Sequence, residues 1–423
     1  MAHEPTRSAC FQPDNYKDLK LVANRHVLLD DIVETLKSFL DESGPGQGRV
    51  LVRGHRGVGK SMLIRKAIDQ VVHELHVLRV EVDCADVAHG EEAVLRELSR
   101  ALSNELLTNV FDTGLRSGAE YLLRLSEVTK VRVKDVKQWS TFLKFGSSIK
   151  YKLADTLEFE FGLNRSAGRS RELEETSERT VDALFLKKLI QNLIEDCARS
   201  DEKVKVVVFI DNLDQLGLLG AEEDIRRVTD LARYLLTLKE CLVVATIRPE
   251  FVSPDLIKLY SKNITVRGMM PDELCEVVEK RMSTAGVRQQ KALEDADFRT
   301  VAKTLAMCTD NVWGFLTWMA MLDYEPLDAK ADDVDGLIDV LAPLIQREHD
   351  GLSERELERI ARVFEANPNG SLTRVSLFQA GIDDELRERA MKHGLLIPDS
   401  WLNPDRYMLS PRLHFLARRH PKA

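Results

Sequence analysis

The sequence predicts an α/β core, a parallel sheet flanked by helices, with a helical lid, a β-hairpin insertion and a C-terminal domain of short helices and a hairpin. Three observations predict it. A glycine-rich loop, Gly54–Ser61, stands between the β-type run Arg49–Arg53 and a helical run that starts at Met62. Val206–Ile210 are five consecutive apolar residues, the pattern of a strand buried on both faces of a parallel sheet. Cys241–Pro249 reads as a third strand, and the amphipathic stretch Glu222–Lys239 lies between it and the second.

The glycine loop reads Gly54-His55-Arg56-Gly57-Val58-Gly59-Lys60-Ser61, which matches G-x-x-x-x-G-K-[ST]. A strand, a glycine loop and a helix N-terminus together make an anion site, because backbone N–H groups and the helix dipole both favour phosphate. Glycine lets the backbone turn tightly and approach the phosphates without a Cβ clash. Lys60 is expected to reach the β- and γ-phosphates of ATP, and the Ser61 hydroxyl to ligate Mg2+. The expected nucleotide contacts are Gly54, His55, Arg56, Gly57, Val58, Gly59, Lys60, Ser61 and Met62, joined by Arg25 and Thr246 from flanking segments.

The second strand ends Phe209-Ile210-Asp211-Asn212-Leu213-Asp214. Asp211 falls at its carboxyl end, where open α/β sheets place their ligands. It is expected to be the acid that holds Mg2+, mainly through water. Many ring ATPases carry Glu directly after this Asp, as the base for the attacking water. Here the residue is Asn212, which can orient water but cannot take a proton, and Asp214 is the candidate substitute. Hydrolysis is therefore expected to be slow.

The third strand ends in Thr246-Ile247-Arg248. If it lies beside the second, Thr246 and Arg248 stand at the height of the γ-phosphate and can report its presence. Arg226, Arg227 and Arg233, on the intervening helix, are candidates for a finger that reaches a neighbouring subunit's nucleotide.

Bulk properties exclude other classes. The 423 residues suffice for two or three domains with real cores. The chain is 44% hydrophobic and 30% charged, the composition of a globular protein, and no apolar run reaches membrane-span length. Its N-terminus lacks a basic-then-apolar signal pattern. Six scattered cysteines without a C-x-x-C pair argue for reduced thiols and a cytoplasmic location. A net charge of −9 argues against a globally basic nucleic-acid binder but leaves room for a local basic surface.

Together these elements resemble the AAA+ ATPases and the related STAND-type signalling ATPases, nearest in look to the origin-recognition and archaeal initiator branch. Asn24-Arg25-His26 precedes the amphipathic helix Leu28–Leu40 as the "R-E" box does there. Val80-Glu81-Val82-Asp83-Cys84 is similar to that family's second core strand, which ends "N-C". Val206–Asp214 resembles Walker B, with a D-N-x-D ending that also looks like KAP-type NTPases, and Thr246-Ile247-Arg248 looks like the T-x-R of STAND proteins. Val266–Leu274, followed by Arg281, matches the start of the helical lid. Initiators usually carry G-N-P-R further on, but Thr309–Gly314 has no Arg, so a lid-borne sensor is in doubt. Trp313 and Trp318 read as packing residues.

Residues from about 110 to 180 exceed a minimal core. Ser148–Leu153 and Leu157–Phe161 alternate polar and apolar around Ala154-Asp155-Thr156, and that register pairs Lys with Glu and apolar with apolar, as a hairpin near 148–162. The basic run Lys130–Lys137 is a candidate nucleic-acid or partner surface, and Gly162–Glu178 reads as a flexible link. In the C-terminal domain Ser353 caps a helix over Ser353–Ala366 with Glu356 three residues on. Helices are expected over Leu372–Ala380 and Asp383–His393, then paired strands at Gly394–Pro398 and Tyr407–Ser410. That is the winged-helix order, and twelve Lys/Arg against ten Asp/Glu from Ser353 onward make it only mildly basic.

The expected domains are an N-terminal segment, 1–22; a P-loop ATPase core, 23–265, with the insertion at about 110–180; a helical lid, 266–335; and a winged-helix-like domain, 336–423. The expected function is an ATP-binding, slowly hydrolysing switch that self-associates into a homo-oligomer and acts with double-stranded DNA. The alternative is a signalling or antiviral-defence ATPase that docks an effector protein without binding DNA. No membrane partner is expected.

Overall fold

The protein is described from a computed structural model, which covers residues 25–41, 48–55, 57–75, 77–84, 91–132, 178–216, 222–285, 302–303, 305–306, 312–322, 352–366, 371–393, 395–400, 403–410 and 413. The core opens with α1 (His26–Asp41), β1 (Arg49–Arg53), α2 (Lys60–Glu74) and β2 (Val77–Asp83). It continues through α3 (Glu91–Asn109), α4 (Thr113–Glu127), β3 (Lys130–Arg132), β4 (Glu178–Thr180) and α5 (Ala183–Arg199). It closes with β5 (Lys205–Asp211), α6 (Glu222–Leu235), β6 (Cys241–Ile247), α7 (Pro254–Lys258) and β7 (Lys262–Thr265).

The main sheet has the order β2-β5-β6-β1-β7, and every pairing in it is parallel. Both faces are covered, which is why β5 and β6 read as unbroken apolar runs. One face packs Val50, Val52, Val207, Phe209 and Val244 against α1 and α2. The other packs Leu51, Val80, Val208 and Val243 against α3, α4, α5 and α6. Edge strand β2 alternates instead: Leu78, Val80 and Val82 are buried, while Arg79, Glu81 and Asp83 face the other way. Register places these three opposite Val207, Phe209 and Asp211, so they belong to the α1/α2 face.

The stretch set apart as an insertion begins inside this core. Helix α4 is capped by the Asp112 side chain, which accepts from the N–H groups of Gly114 and Leu115. It buries Leu115, Ala119, Tyr121, Leu122 and Leu125 in the main apolar cluster. Lys130–Arg132, part of the predicted basic surface, pairs antiparallel with Glu178–Thr180. The predicted hairpin near 148–162 and the run 133–139 lie outside the described residues.

After the core come α8 (Pro271–Ala285), α9 (Val312–Leu322), α10 (Glu354–Val363), β8 (Ser371–Thr373), α11 (Arg374–Gln379), α12 (Asp384–Lys392), β9 (Leu396–Ser400) and β10 (Asn403–Leu409). Ser353 and Glu356 form the predicted capping box of α10. The helix predicted over Leu372–Ala380 starts two residues later. Ser371–Thr373 are a strand that adds to the β9–β10 hairpin, and the Thr373 hydroxyl caps α11. Trp318 is buried, as expected of a packing residue, in an apolar cluster that runs from Leu274 of α8 through Phe315 to Ile360, Leu386 and Leu409. The predicted lid and C-terminal domain therefore share one core. Among the described residues no helix is long and apolar enough to cross a membrane.

Candidate functional site

The site is built where β1, β5 and β6 end. Val266 closes over the start of the loop: its N–H donates to the Arg53 carbonyl at 2.8 Å. A Cβ on Gly54 would stand 2.5 Å from the Val266 carbonyl oxygen, so only glycine fits there. Gly59, at φ 89, turns the chain into α2 through the left-handed region, at a conformational cost that glycine avoids. Lys60 opens the helix, and its Nζ donates to the carbonyls of Gly54 at 2.6 Å and His55 at 3.0 Å. The ammonium is thus held inside the loop, where a phosphate would take over as partner. Val58 is buried and Met62 half-buried beside it; Arg56 lies outside the described residues.

Asp211 is the hub. Its side chain is 1% exposed. Oδ1 accepts from Ser61 Oγ at 2.7 Å, from Thr246 Oγ1 at 2.5 Å and from the Asn212 N–H at 3.1 Å. Oδ2 accepts from Arg65 Nη2 at 2.9 Å. Burial pushes the Asp211 carboxyl up; the bonds from Thr246 and Ser61 and the Arg65 charge pull it down, and the Asp83 charge raises it again, with a net rise. The structure thus brings Ser61, Asp211 and Thr246 together across three segments. Ser61 and Asp211 supply hard oxygen donors, the type Mg2+ takes. Such a cation keeps several waters and binds one or two carboxylates plus the substrate's phosphates, so it needs no all-protein cage. Among the described residues there is no cluster of three or more His, Cys, Asp and Glu for a metal.

Asn212 sits at φ 54, in the left-handed region that Asn tolerates better than most residues. Its N–H also meets Thr246 Oγ1 at 2.9 Å, and its Nδ2 donates to Asp83 Oδ1 at 2.9 Å. Asp214, 2% exposed, accepts from the Arg248 N–H at 3.0 Å with Oδ1 and from Arg248 Nε at 2.5 Å with Oδ2. The guanidinium also lies 4.8 Å over the Phe251 ring. Asp214 and Arg248 are therefore committed to one another in this state. Arg226, Arg227 and Arg233 are all exposed on α6, and Arg233 pairs with Asp230. Arg25 is buried at the N-terminal end of α1.

Sequence reasoning missed Arg65, Glu81 and the position of Asp83. Arg65 lies four residues after Ser61 on α2, hence on the same helix face, and donates through Nε to Glu81 Oε1 at 2.7 Å. A cation inside the buried stripe Ile64, Ala67, Ile68, Val71 was the available signal. Cys84 closes β2 and is inert: burial pushes its thiol up, and its N–H donates to the Asp211 carbonyl at 2.9 Å.

The model of the AAA ATPase domain family matches residues 27–243, from α1 into β6. The chain belongs to that family. This ATPase is also similar in fold to solved structures. One is the Walker-type ATPase PABY2304 of Pyrococcus abyssi, 13% identical, with 94% of this chain and 98% of that one covered at a TM-score of 0.44. Another is the ORC2 protein of Aeropyrum pernix, 12% identical, with 94% of each chain covered at 0.44. A third is the RuvB Holliday junction branch migration motor of Thermotoga maritima, 11% identical, with 92% of each covered at 0.36. No curated protein matches the ATPase. It is an ATP-binding ATPase of the AAA+ class, in the initiator-like branch.

Proposed function

We propose that this ATPase is a nucleotide-controlled oligomerisation switch that acts on DNA through its C-terminal module. ATP binds at Gly54–Ser61 with Mg2+ held by Ser61 and Asp211, and Thr246 and Arg248 read the γ-phosphate. Hydrolysis is slow, because Asn212 stands where a glutamate would serve best, and it releases the assembled state. An exposed arginine of α6 from a neighbouring subunit completes the site. The units are a core of residues 23–265, a lid of 266–335 and a winged-helix domain of 336–423, whose helix, strand, two helices and hairpin follow the winged-helix order.

One observation carries this reading. The turn Pro249–Phe251, directly after Arg248, packs against β9 of the C-terminal module. A change at Arg248 is thereby felt at the module that would hold a partner. Free thiols at Cys84, Cys197, Cys241 and Cys275 support a cytoplasmic setting.

A protein effector in place of DNA is favoured by a second observation. Arg374 and Arg387 pair with Asp384, and Arg389 pairs with Glu356, so these cations are already answered. Val375 and Phe378 stand exposed three residues apart on α11, the kind of apolar surface a protein partner covers.

The test is ATP turnover and particle mass measured together, with and without duplex DNA, at low and moderate salt. DNA-stimulated turnover or assembly that salt abolishes is the expected result. Assembly driven by ATP alone and indifferent to DNA supports the effector reading. A Lys60→Ala protein that binds and hydrolyses ATP like wild type overturns the site assignment.

A further inference from the structure

We propose that Asp83, at the end of β2, is the carboxylate that takes the proton of the attacking water, held in place by Asn212. The inference rests on the P-loop and Asp211 forming the ATP site. Hydrolysis needs a proton acceptor near the γ-phosphate, and an amide at position 212 cannot be one. The carboxylates that surround the site are otherwise engaged. Asp211 receives Ser61, Thr246 and the Asn212 N–H on one oxygen and Arg65 on the other. Both oxygens of Asp214 are bonded to Arg248. Glu81 receives Arg65 on Oε1 and Arg79 on Oε2.

Asp83 differs in position and in partner. It is the register neighbour of Asp211 on the adjacent parallel strand, so both carboxylates stand at the same carboxyl-end height of the sheet. Two residues before it, Glu81 shares its face of β2 and is bonded to Arg65 of α2. That face therefore looks onto the helix whose N-terminus is the phosphate loop. Arg65 is five residues into α2 and meets Glu81; moving up β2 from Glu81 to Asp83 is moving back along α2 toward Ser61 and the phosphates. Asp83 is half-buried, and its one described hydrogen bond is the Asn212 Nδ2–H, which donates to Oδ1 at 2.9 Å. An ionised carboxylate has about four lone-pair sites, so one amide bond orients it without exhausting it. The left-handed backbone of Asn212, φ 54, is the strain that aims this amide at β2. The acid and the amide have changed strands relative to a site that carries its acid directly after Asp211.

In the step, a lone pair of the water oxygen forms the bond to Pγ. The bond from Pγ to the β–γ bridging oxygen breaks, its electron pair leaving with ADP. The water proton passes to the Asp83 carboxylate and from there to solvent or the released phosphate.

The experiment compares four full-length proteins: wild type, Asp83→Asn, Asp83→Asn with Asn212→Asp, and Lys60→Ala as the baseline. Phosphate release, affinity for a fluorescent ATP analogue, and the ATP:ADP ratio of bound nucleotide after incubation are read for each. Loss of a general base lowers kcat by about 10²-fold or more, so Asp83→Asn should fall by that factor. Its affinity should stay within about threefold of wild type, and its bound nucleotide should remain ATP. The double variant restores a carboxylate–amide pair with the partners exchanged, at a position whose left-handed backbone Asp also accepts, and should recover at least about tenfold. Turnover of Asp83→Asn at the wild-type rate overturns the proposal. So does a parallel loss of affinity and turnover that the exchange does not repair. Wild type no faster than Lys60→Ala instead overturns the hydrolytic reading on which the proposal stands.

Discussion

Replacing Arg65 by Met should leave a protein whose stability depends on magnesium nucleotide far more than wild type does. Arg65 makes two charge-assisted bonds, Nη2 to Asp211 at 2.9 Å and Nε to Glu81 at 2.7 Å, and its guanidinium lies 5.8 Å over Phe209. Methionine keeps the aliphatic stem on Phe209 and removes the charge, so packing loss is small. Removing one partner of a buried ion pair costs about 3–5 kcal/mol. Glu81 absorbs its share, being 22% exposed and still bonded to Arg79. Asp211 cannot, although Ser61, Thr246 and the Asn212 N–H still serve it. The deficit should therefore sit at the low end, about 3 kcal/mol without ligand. A divalent cation brought by ATP supplies positive charge to the same carboxylate and should recover about 1.5 kcal/mol, one charge-assisted bond's worth. The assay is urea unfolding followed by far-UV circular dichroism, reading the nucleotide-responsive transition with no ligand, with ATP in EDTA, and with ATP and magnesium. A deficit below about 1 kcal/mol, or one that magnesium nucleotide leaves unchanged, refutes the argument that Arg65 neutralises Asp211.

Two further outcomes follow from the other ion pairs. Glu356 is held down from 4.5 to about 2, chiefly by the Ser353 N–H and then by Arg389. A depressed carboxylate stabilises fully above its ordinary value and less as pH falls toward its folded value. Glu356→Gln should therefore lower the unfolding midpoint of the C-terminal core at pH 7, and its difference from wild type should close between pH 4.5 and about 2; tryptophan emission, to which buried Trp318 contributes, reads it. For the Asp214–Arg248 pair, a cycle of Asp214→Asn, Arg248→Gln and the double variant should give a coupling of about 1–3 kcal/mol in urea unfolding; additive single effects would show that the pair is not a unit.

The core was legible because its signals are local and its constraints strong. A fully buried parallel strand must be apolar throughout, so Val206–Ile210 and Cys241–Ile247 stood out, and the phosphate loop needs glycines at fixed offsets. The lateral relations were not legible. Val77–Asp83 alternates because it is an edge strand whose charged face meets α2, and nothing along the chain says that Arg65 reaches across to Glu81 and Asp211. For the same reason Asp214 and Arg248 could each be given a task in catalysis, whereas folding pairs them. Helix α4 was set apart as surplus length, yet its apolar stripe belongs to the main core. Ser371–Thr373 escaped notice because a three-residue strand has too few alternations to show a period.

Two arrangements of charge divide the site into a part that holds nucleotide and a part that passes the information on. Ser61, Arg65, Thr246 and Asn212 all converge on Asp211, so metal binding there must re-form bonds on α2, β5 and β6 at once. Arg248 begins two residues after Thr246 and is tied to Asp214, three residues after Asp211. A pull on either strand end therefore acts on the same ion pair. Beyond Arg248 the chain turns through Phe251, on which the guanidinium stacks, and meets β9 of the C-terminal module. If Arg248 left Asp214 for a γ-phosphate, the buried Asp214 carboxylate would lose its partner and the stacking on Phe251 would be lost with it. Such an exchange is two-state in character, because a buried carboxylate 2% exposed has no inexpensive intermediate. The Asp214–Arg248 pair is thus suited to convert the presence of one phosphate into one of two placements of the module, which is what a switch, rather than a continuous motor, requires.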